Sequence, residues 1–159
     1  MDLLQGDFSP QGIFRIAATM ERGLRSFYLL FAEAAGDREL IGLCSMLAEI
    51  ETRHLESLKK LASEVGSSID VSGENETPEV LEGGYNIRAF LEEVKPRIET
   101  VPDALGVAIM LEAQALDLYM RFAYETEKDG SKEILYSIAE EEKSHLKSLG
   151  RLMDEKVRT

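Results

Sequence analysis

Apolar residues recur along four long stretches of the chain at the spacing of an amphipathic α-helix. In the first stretch Ile13, Ala17, Leu24 and Phe31 follow one another at intervals of four or seven residues, which places them on one helical face. Three further stretches repeat this spacing with leucine as the main apolar residue. Each has about 25 residues, or about 38 Å of helix at about 1.5 Å per residue. The pattern therefore predicts an all-α bundle of long helices.

Capping and helix-breaking residues divide these stretches into two helical hairpins. Ser9 followed by Pro10 predicts the first helix start, and Gly36 predicts its end. The turn of the second hairpin is predicted near Asp129 and Gly130. We expect one domain over residues 1–159, with a hairpin over 9–65, a crossover over 66–101 that includes a short helix near 86–95, and a hairpin over 102–157.

The connection between the hairpins is much longer than a turn requires. Residues 66–85 are rich in glycine, serine and acidic residues, and a connection of this length is typical of a crossover. About 12 extended residues span about 38 Å, so the segment is long enough to return along the bundle. We therefore expect the third long helix to start at the same end of the bundle as the second.

The second half of the chain repeats the first at a shift of 91 residues. The shift aligns acidic, aromatic, histidine and leucine positions with residues of the same type. The aligned pairs include Glu21 with Glu112, Tyr28 with Tyr119, Phe31 with Phe122, Glu51 with Glu142, His54 with His145, and Leu55 with Leu146. Two similar hairpins predict a bundle with an approximate internal two-fold axis.

Composition excludes several classes of partner. The 159 residues contain 18 Lys and Arg against 30 Asp and Glu, a net charge of −12. This charge argues against binding to nucleic acid or to anionic membrane surfaces. Cys44 is the one cysteine, so neither an internal disulfide nor a cysteine-rich metal site is expected. No apolar stretch reaches a membrane-spanning length and the N-terminus does not resemble a signal peptide, so we expect a soluble cytoplasmic protein.

Candidate metal ligands stand at fixed spacing in both hairpins. The chain has two histidines, His54 and His145, and each follows a glutamate by three residues, Glu51 and Glu142. Residues three apart share a helical face, so each glutamate and its histidine are placed to bind one ion together.

A second pair of glutamates completes the constellation. Glu21 lies 30 residues before Glu51, with Gly36 midway between them, and Glu112 lies 30 residues before Glu142. All four occupy core-stripe positions, where a buried carboxylate without compensation costs several kcal/mol. Two divalent cations would balance the four charges. A mixed oxygen and nitrogen ligand set suits iron or manganese better than zinc.

These stretches resemble a known family. The segments MERGLRSFY and AEIETRHLESL, then LEAQALDLYMRFA and AEEEKSHLKSL, are similar to the rubrerythrin branch of the ferritin-like superfamily. The resemblance covers about 110 residues, and a ligand set of one Glu from each of two helices and Glu-x-x-His from each of the other two is typical of di-iron and di-manganese proteins. It implies a four-helix bundle with left-handed crossing, in which two antiparallel hairpins are joined by the long crossover.

The resemblance also implies roles for individual residues. Two iron ions would be bound, with manganese or a mixed pair as the alternative. The implied roles are Glu51 and Glu142 as bridging carboxylates, Glu21 and Glu112 as terminal carboxylates, and His54 and His145 as one cap on each metal. Tyr28 and Tyr119, two turns after Glu21 and Glu112, are candidates for hydrogen bonds to these carboxylates or for electron relay.

The sequence also departs from the rubrerythrin pattern. Nothing in it matches the rubredoxin domain with two cysteine pairs, so we expect a separate rubredoxin-like electron donor. Ala115 stands where rubrerythrins tend to have a further glutamate. A homodimer is expected on family grounds.

Four interpretations of the function remain open. The leading one is an oxidoreductase that acts on hydrogen peroxide or O₂. The alternatives are an iron-binding or ferroxidase protein without a dedicated substrate, a dimanganese catalase-like enzyme, and a purely structural bundle.

Overall fold

The structure is a computed structural model that describes residues 9–64, 66, 86–126 and 129–158. Every element in these ranges is helical. The helices are α1 (Pro10–Ala34), α2 (Arg38–Glu64), α3 (Ile87–Val94), α4 (Val101–Glu125) and α5 (Asp129–Arg158), with a 3₁₀ turn over Lys95–Arg97 between α3 and α4. The all-α character predicted from the sequence is confirmed for the described residues. The ferritin-like topology and the left-handed crossing stay predictions.

Short polar side chains start the two helices of the first hairpin. The hydroxyl of Ser9 accepts a hydrogen bond from the backbone N–H of Gly12 at 3.2 Å, and Pro10 occupies the first turn of α1. The Asp37 Oδ1 atom accepts hydrogen bonds from the N–H groups of Glu39 and Leu40 at 2.9 and 3.0 Å. These contacts satisfy backbone donors that have no partner inside the helix.

A capping box starts α4. The hydroxyl of Thr100 accepts from the N–H of Asp103, and the carboxylate of Asp103 accepts from the N–H of Thr100 at 2.9 Å. The hydrogen bond from the Thr100 hydroxyl, followed by bonds from backbone N–H groups, lowers the pKa of Asp103 from its ordinary value. Together these bonds fix the position at which α4 begins.

Three residues separate the two helices of each hairpin. Residues 35–37 lie between α1 and α2, and residues 126–128 lie between α4 and α5. The turn predicted near Asp129 and Gly130 is therefore misplaced, because α5 already begins at Asp129. Ala35 ends α1 in an extended conformation, and Gly66 is the one described glycine with positive φ, at 75°. The end of α1 thus does not use the left-handed conformation for which Gly36 is suited.

The described contacts divide the chain into two compact units, Met1–Glu93 and Val94–Thr159. In the first unit α1 packs against α2 along its length, and α3 adds an aromatic contact. The Phe27 ring lies 5.4 Å from the ring of Phe90 and 6.2 Å from that of Phe31. The short turn makes α1 and α2 antiparallel. The single domain over residues 1–159 stays a prediction.

The second unit is built around the antiparallel pair α4 and α5. Its core is formed by apolar residues on one face of each helix, and the most deeply buried are Leu105, Ala108, Ala115, Tyr119, Phe122, Ala123, Leu135 and Ala139. The opposite faces carry charged side chains, such as the exposed pair Lys143 Nζ and Glu140 Oε1 at 2.8 Å, together with exposed apolar side chains such as Met110. In the described part of the chain, no helix combines the length and the apolar character needed to cross a membrane.

Candidate metal centre

Glutamates interrupt the apolar face of every long helix. Glu21 follows Ala17 by four residues and precedes Leu24 by three, and both neighbours are buried. The helical period therefore directs Glu21 into the interior of the first hairpin, where its exposed fraction is 1%. Glu51, Glu112 and Glu142 are buried in the same way, with exposed fractions of 0%, 0% and 1%. Charged side chains are almost never buried to this degree unless a partner compensates them.

The first unit brings Glu21, Glu51 and His54 together, and we call these residues the first triad. The Nδ1 atom of His54 lies 3.2 Å from the Oε2 atom of Glu21 and 3.5 Å from the Oε2 atom of Glu51. Glu21 comes from α1 and the other two from α2. They lie level because the turn over residues 35–37 is centred midway between residues 21 and 51.

The second unit brings Glu112, Glu142 and His145 together in a second triad. The Nδ1 atom of His145 lies 3.4 Å from the Oε2 atom of Glu112. One ligand atom from each of the three residues lies within 4.8 Å of the others. The interval between α4 and α5 is centred midway between residues 112 and 142, so the second hairpin is as symmetric about its ligands as the first.

The spacing of the donor atoms suits one ion in each triad. Two ligands that bind the same divalent ion at about 2.1 Å, at an angle between about 90° and 109°, lie about 3.0–3.4 Å apart. The His54–Glu21 and His145–Glu112 distances of 3.2 and 3.4 Å fall in this range. The His54–Glu51 distance of 3.5 Å lies just above it. The His54–Glu21 distance also matches a direct hydrogen bond between these side chains, and in the second triad one donor atom from each of the three residues lies within 4.8 Å of the other two.

Electrostatics also favours a cation in each triad. Two carboxylates and one imidazole carry a net charge of −1 even when the imidazole is protonated, and −2 when it is neutral. In the second triad the histidine is 6% exposed and both carboxylates are buried, so water does little to screen this charge. An uncompensated buried charge costs several kcal/mol. A divalent ion removes this cost, and its oxygen and nitrogen ligands are those that iron and manganese accept.

Two buried tyrosines accompany the triads. Tyr28 lies seven residues after Glu21, and Tyr119 lies seven residues after Glu112. Their exposed fractions are 2% and 1%. The ring of Tyr28 also meets that of Phe27 edge-on, with centroids 5.7 Å apart and an interplanar angle of 67°. Both tyrosines are therefore core residues. Their predicted role beside the metal ligands stays a prediction.

One charged feature of the first unit was missed by reasoning from the sequence. Arg22 and Arg25 on α1 and Lys59 on α2 line the same groove, together with Thr52 and Glu56. The available signal was the three-residue spacing of the arginines, which places them on one face of α1. That spacing is also common on solvated helix surfaces. The negative net charge of the whole chain gives no indication of a local cationic cluster.

Comparisons with known proteins add no relatives. No protein-family profile, no curated protein and no solved structure matched the chain. The rubrerythrin resemblance thus stays a hypothesis drawn from the quoted sequence segments, and the chemistry of the two triads rests on their own residues.

Proposed function

We propose that this chain is a di-metal carboxylate protein that acts as an oxidoreductase on hydrogen peroxide or O₂. The observation that carries the proposal is the repetition of the triad. Each half of the chain brings two buried glutamates and a histidine together at equivalent positions of a helical hairpin. A repeated set of six metal-binding groups, five of them buried and His54 14% exposed, is expected for a site that binds two ions and not for a structural core.

Charge balance supports two ions per chain. The four buried glutamates carry −4 when ionised, and two divalent cations carry +4. One ion for each triad therefore neutralises the interior, whereas a single ion would leave a charge of −2 among buried groups. The types of ligand favour Fe²⁺ or Mn²⁺, because carboxylate and imidazole groups suit both ions.

The protein residues have separate tasks in this proposal. Bound iron would supply the electrons for reduction of peroxide or O₂, one from each ion. Glu21, Glu51 and His54 hold one ion, and the second triad holds the other. Buried apolar neighbours such as Ala17 and Leu24 keep bulk water away from the charged groups. The phenolic oxygens of Tyr28 and Tyr119 belong to residues two turns from the carboxylates, where they would deliver protons to the reduced oxygen atoms.

Hydrogen peroxide is the preferred oxidant because of the rubrerythrin resemblance. A separate electron-donor protein, similar to a rubredoxin, would then return the iron to its reduced state. One observation favours a simpler second function, which is iron binding with ferroxidase activity. Ala115 is 1% exposed and lies one turn after Glu112, so a buried methyl group occupies the position of the further rubrerythrin glutamate. Position 115 therefore adds no carboxylate to the six ligands.

The two functions differ in their reaction with oxidants. Protein loaded anaerobically with Fe(II) is mixed in a stopped-flow instrument with either peroxide or O₂, and iron oxidation is followed by absorbance. We expect faster oxidation by peroxide. Faster oxidation by O₂ would exclude the peroxidase and support the ferroxidase. Evolution of O₂ from peroxide by the Mn(II)-loaded protein, without an electron donor, would instead support catalase-like activity.

The site assignment needs its own control. Glu51→Ala should lower the bound metal and slow the oxidation reaction. Glu49→Gln is the matched control, because Glu49 is exposed on the same helix two residues earlier. It should leave both quantities unchanged. Equal metal content in the two variants would reject Glu51 as a ligand.

A further inference from the structure

A cationic groove runs along the first hairpin, formed by Arg22 and Arg25 from α1 and by Thr52, Glu56 and Lys59 from α2. It encloses about 150 Å³. A cavity of this size has room for several water molecules or for one compact polyatomic ion. Arg22 and Arg25 are half-buried, whereas Lys59 and Glu56 are exposed, so the groove has a partly sheltered floor and an open mouth.

The antiparallel packing of α1 and α2 makes the basic side chains converge. Helical side chains lean toward the N-terminus of their own helix. Arg22 and Arg25 therefore lean back along α1 toward Ala18, and Lys59 leans back along α2 toward Leu55. Ala18 and Leu55 line the same groove. The three basic side chains therefore lean toward the same stretch of the hairpin, where they line one groove.

The local charge of the groove is opposite to that of the protein. Three basic side chains and Glu56 give a local charge of +2, within a chain whose net charge is −12. Among the residues that the structure describes, none of the three cations forms an ion pair. Within the described ranges no acidic side chain neutralises these cations in an ion pair, which favours the attraction of an anion.

The internal repeat separates this groove from the metal ligands. A shift of 91 residues maps Arg22, Arg25 and Lys59 onto Ala113, Leu116 and Gly150. The repeat thus keeps the triads and the core but has no basic residues at the corresponding positions of the second hairpin. The groove is a property of the first hairpin alone, and it does not follow from the proposed metal chemistry.

We propose that this groove binds the phosphate group of a small soluble molecule. The planar guanidinium groups of Arg22 and Arg25 suit two-point hydrogen bonding to a tetrahedral oxyanion, and Lys59 adds a third positive charge. The hydroxyl of Thr52 already donates to the carbonyl of Ala48 at 3.1 Å, so recognition falls to the cations. Glu56 opposes the anion and weakens its binding.

Isothermal titration calorimetry on the full-length chain at low ionic strength tests this proposal. Inorganic phosphate and glycerol 3-phosphate serve as separate probes, which distinguishes the free ion from a phosphate monoester. The double variant Arg22→Gln/Arg25→Gln should bind the preferred probe at least about tenfold more weakly, because it lacks two charge-assisted contacts. Arg38→Gln/Arg88→Gln is the matched control, since it removes two exposed arginines of the same unit and should leave the affinity unchanged.

Substitution of Glu56 gives a result of opposite sign. Glu56→Gln should tighten binding by about threefold, because it removes a like charge from the mouth of the groove. Lys59→Gln, at an exposed position where misfolding is not expected, should weaken binding. No heat of binding with either probe would overturn the proposal. Equal affinity in the Arg22→Gln/Arg25→Gln variant would do so too, because phosphate held by a metal ion would not depend on these arginines.

Discussion

Replacement of Glu112 by glutamine separates the cost of the buried charge from the benefit of metal binding. Glutamine keeps the size and shape of the side chain and removes its charge. Glu112 is 0% exposed, and its Oε2 atom lies 3.4 Å from His145 Nδ1. With both carboxylates ionised and the imidazole protonated, the second triad carries a net charge of −1. Glu112→Gln relieves the repulsion between two carboxylates whose ligand atoms lie within 4.8 Å of each other, so we expect the metal-free variant to be at least as stable as the parent chain.

The same substitution should remove most of the stabilisation by metal. An ion present at about 100 times its dissociation constant stabilises the folded state by about 2.7 kcal/mol. Loss of a direct ligand should weaken binding by about 100-fold, the upper end of the effect seen for supporting residues. The stabilisation then falls to about 0.4 kcal/mol. In a thermal melt, the metal-induced increase in Tm of about 5–11 °C should nearly disappear.

Urea unfolding followed by circular dichroism, with a chelator or with Mn(II), measures both effects. Mn(II) is chosen because it does not oxidise readily during the experiment. Glu125→Gln is the matched control, because Glu125 is exposed on the same helix and its substitution should change neither quantity. The reasoning is refuted if Glu112→Gln destabilises the metal-free protein and keeps its full stabilisation by Mn(II).

Further predictions concern three positions of the fold, which are Cys44, Ser9 and Leu105. Burial raises the pKa of the Cys44 thiol to about 12. Labelling of the folded protein by a disulfide reagent at about pH 8 should therefore be at least about 100-fold slower than labelling of the protein unfolded in urea. Comparable rates in the two states would contradict the burial of Cys44. The unfolded thiol ionises at about pH 8.5, whereas the folded thiol stays protonated. Cys44 therefore contributes stability below that pH, and this contribution is lost as the pH rises toward about 12. In urea titrations at about pH 8 and 10, a Cys44→Ala variant should not show this loss. Ser9→Ala should cost about 1 kcal/mol in urea unfolding, because it removes the N-cap hydrogen bond of α1, and an unchanged midpoint would mean that this end of the helix frays. Leu105→Ala at a fully buried position should cost about 2–5 kcal/mol, whereas Met110→Ala, at 40% exposure, should cost no more than about 0.5 kcal/mol.

Local sequence signals account well for the helices. Ser9 and Asp37 are capping residues that the structure uses as such, and the apolar period identified which faces are buried. The exact ends were less predictable. Gly36 predicted the end of α1, but Ala34 is the last helical residue. Gly130 predicted a turn at a position that belongs to α5. Glycine signals a possible end, but tertiary packing decides which residue takes that role.

The candidate site was predictable for a different reason. Helical geometry alone requires Glu51 and His54 to share a face, and a short turn requires Glu21 to lie level with them. The approach of His54 Nδ1 to 3.2 Å from Glu21 depends on side-chain rotamers, which the spacing does not specify. The cationic groove lay beyond prediction because it needs long side chains from two helices to converge, and residue spacing within one helix gives no information on that convergence.

Elemental analysis of the chain after anaerobic loading with Fe(II) and removal of unbound metal tests the central claim most directly. Two triads of ligands, five of them buried and His54 14% exposed, predict two iron ions per chain. His54→Ala, which removes one ligand of the first triad, should lower this value to about one, because the second triad keeps its three ligands. A chain that binds no iron, or a His54→Ala variant that still binds two ions, would contradict the assignment of the site.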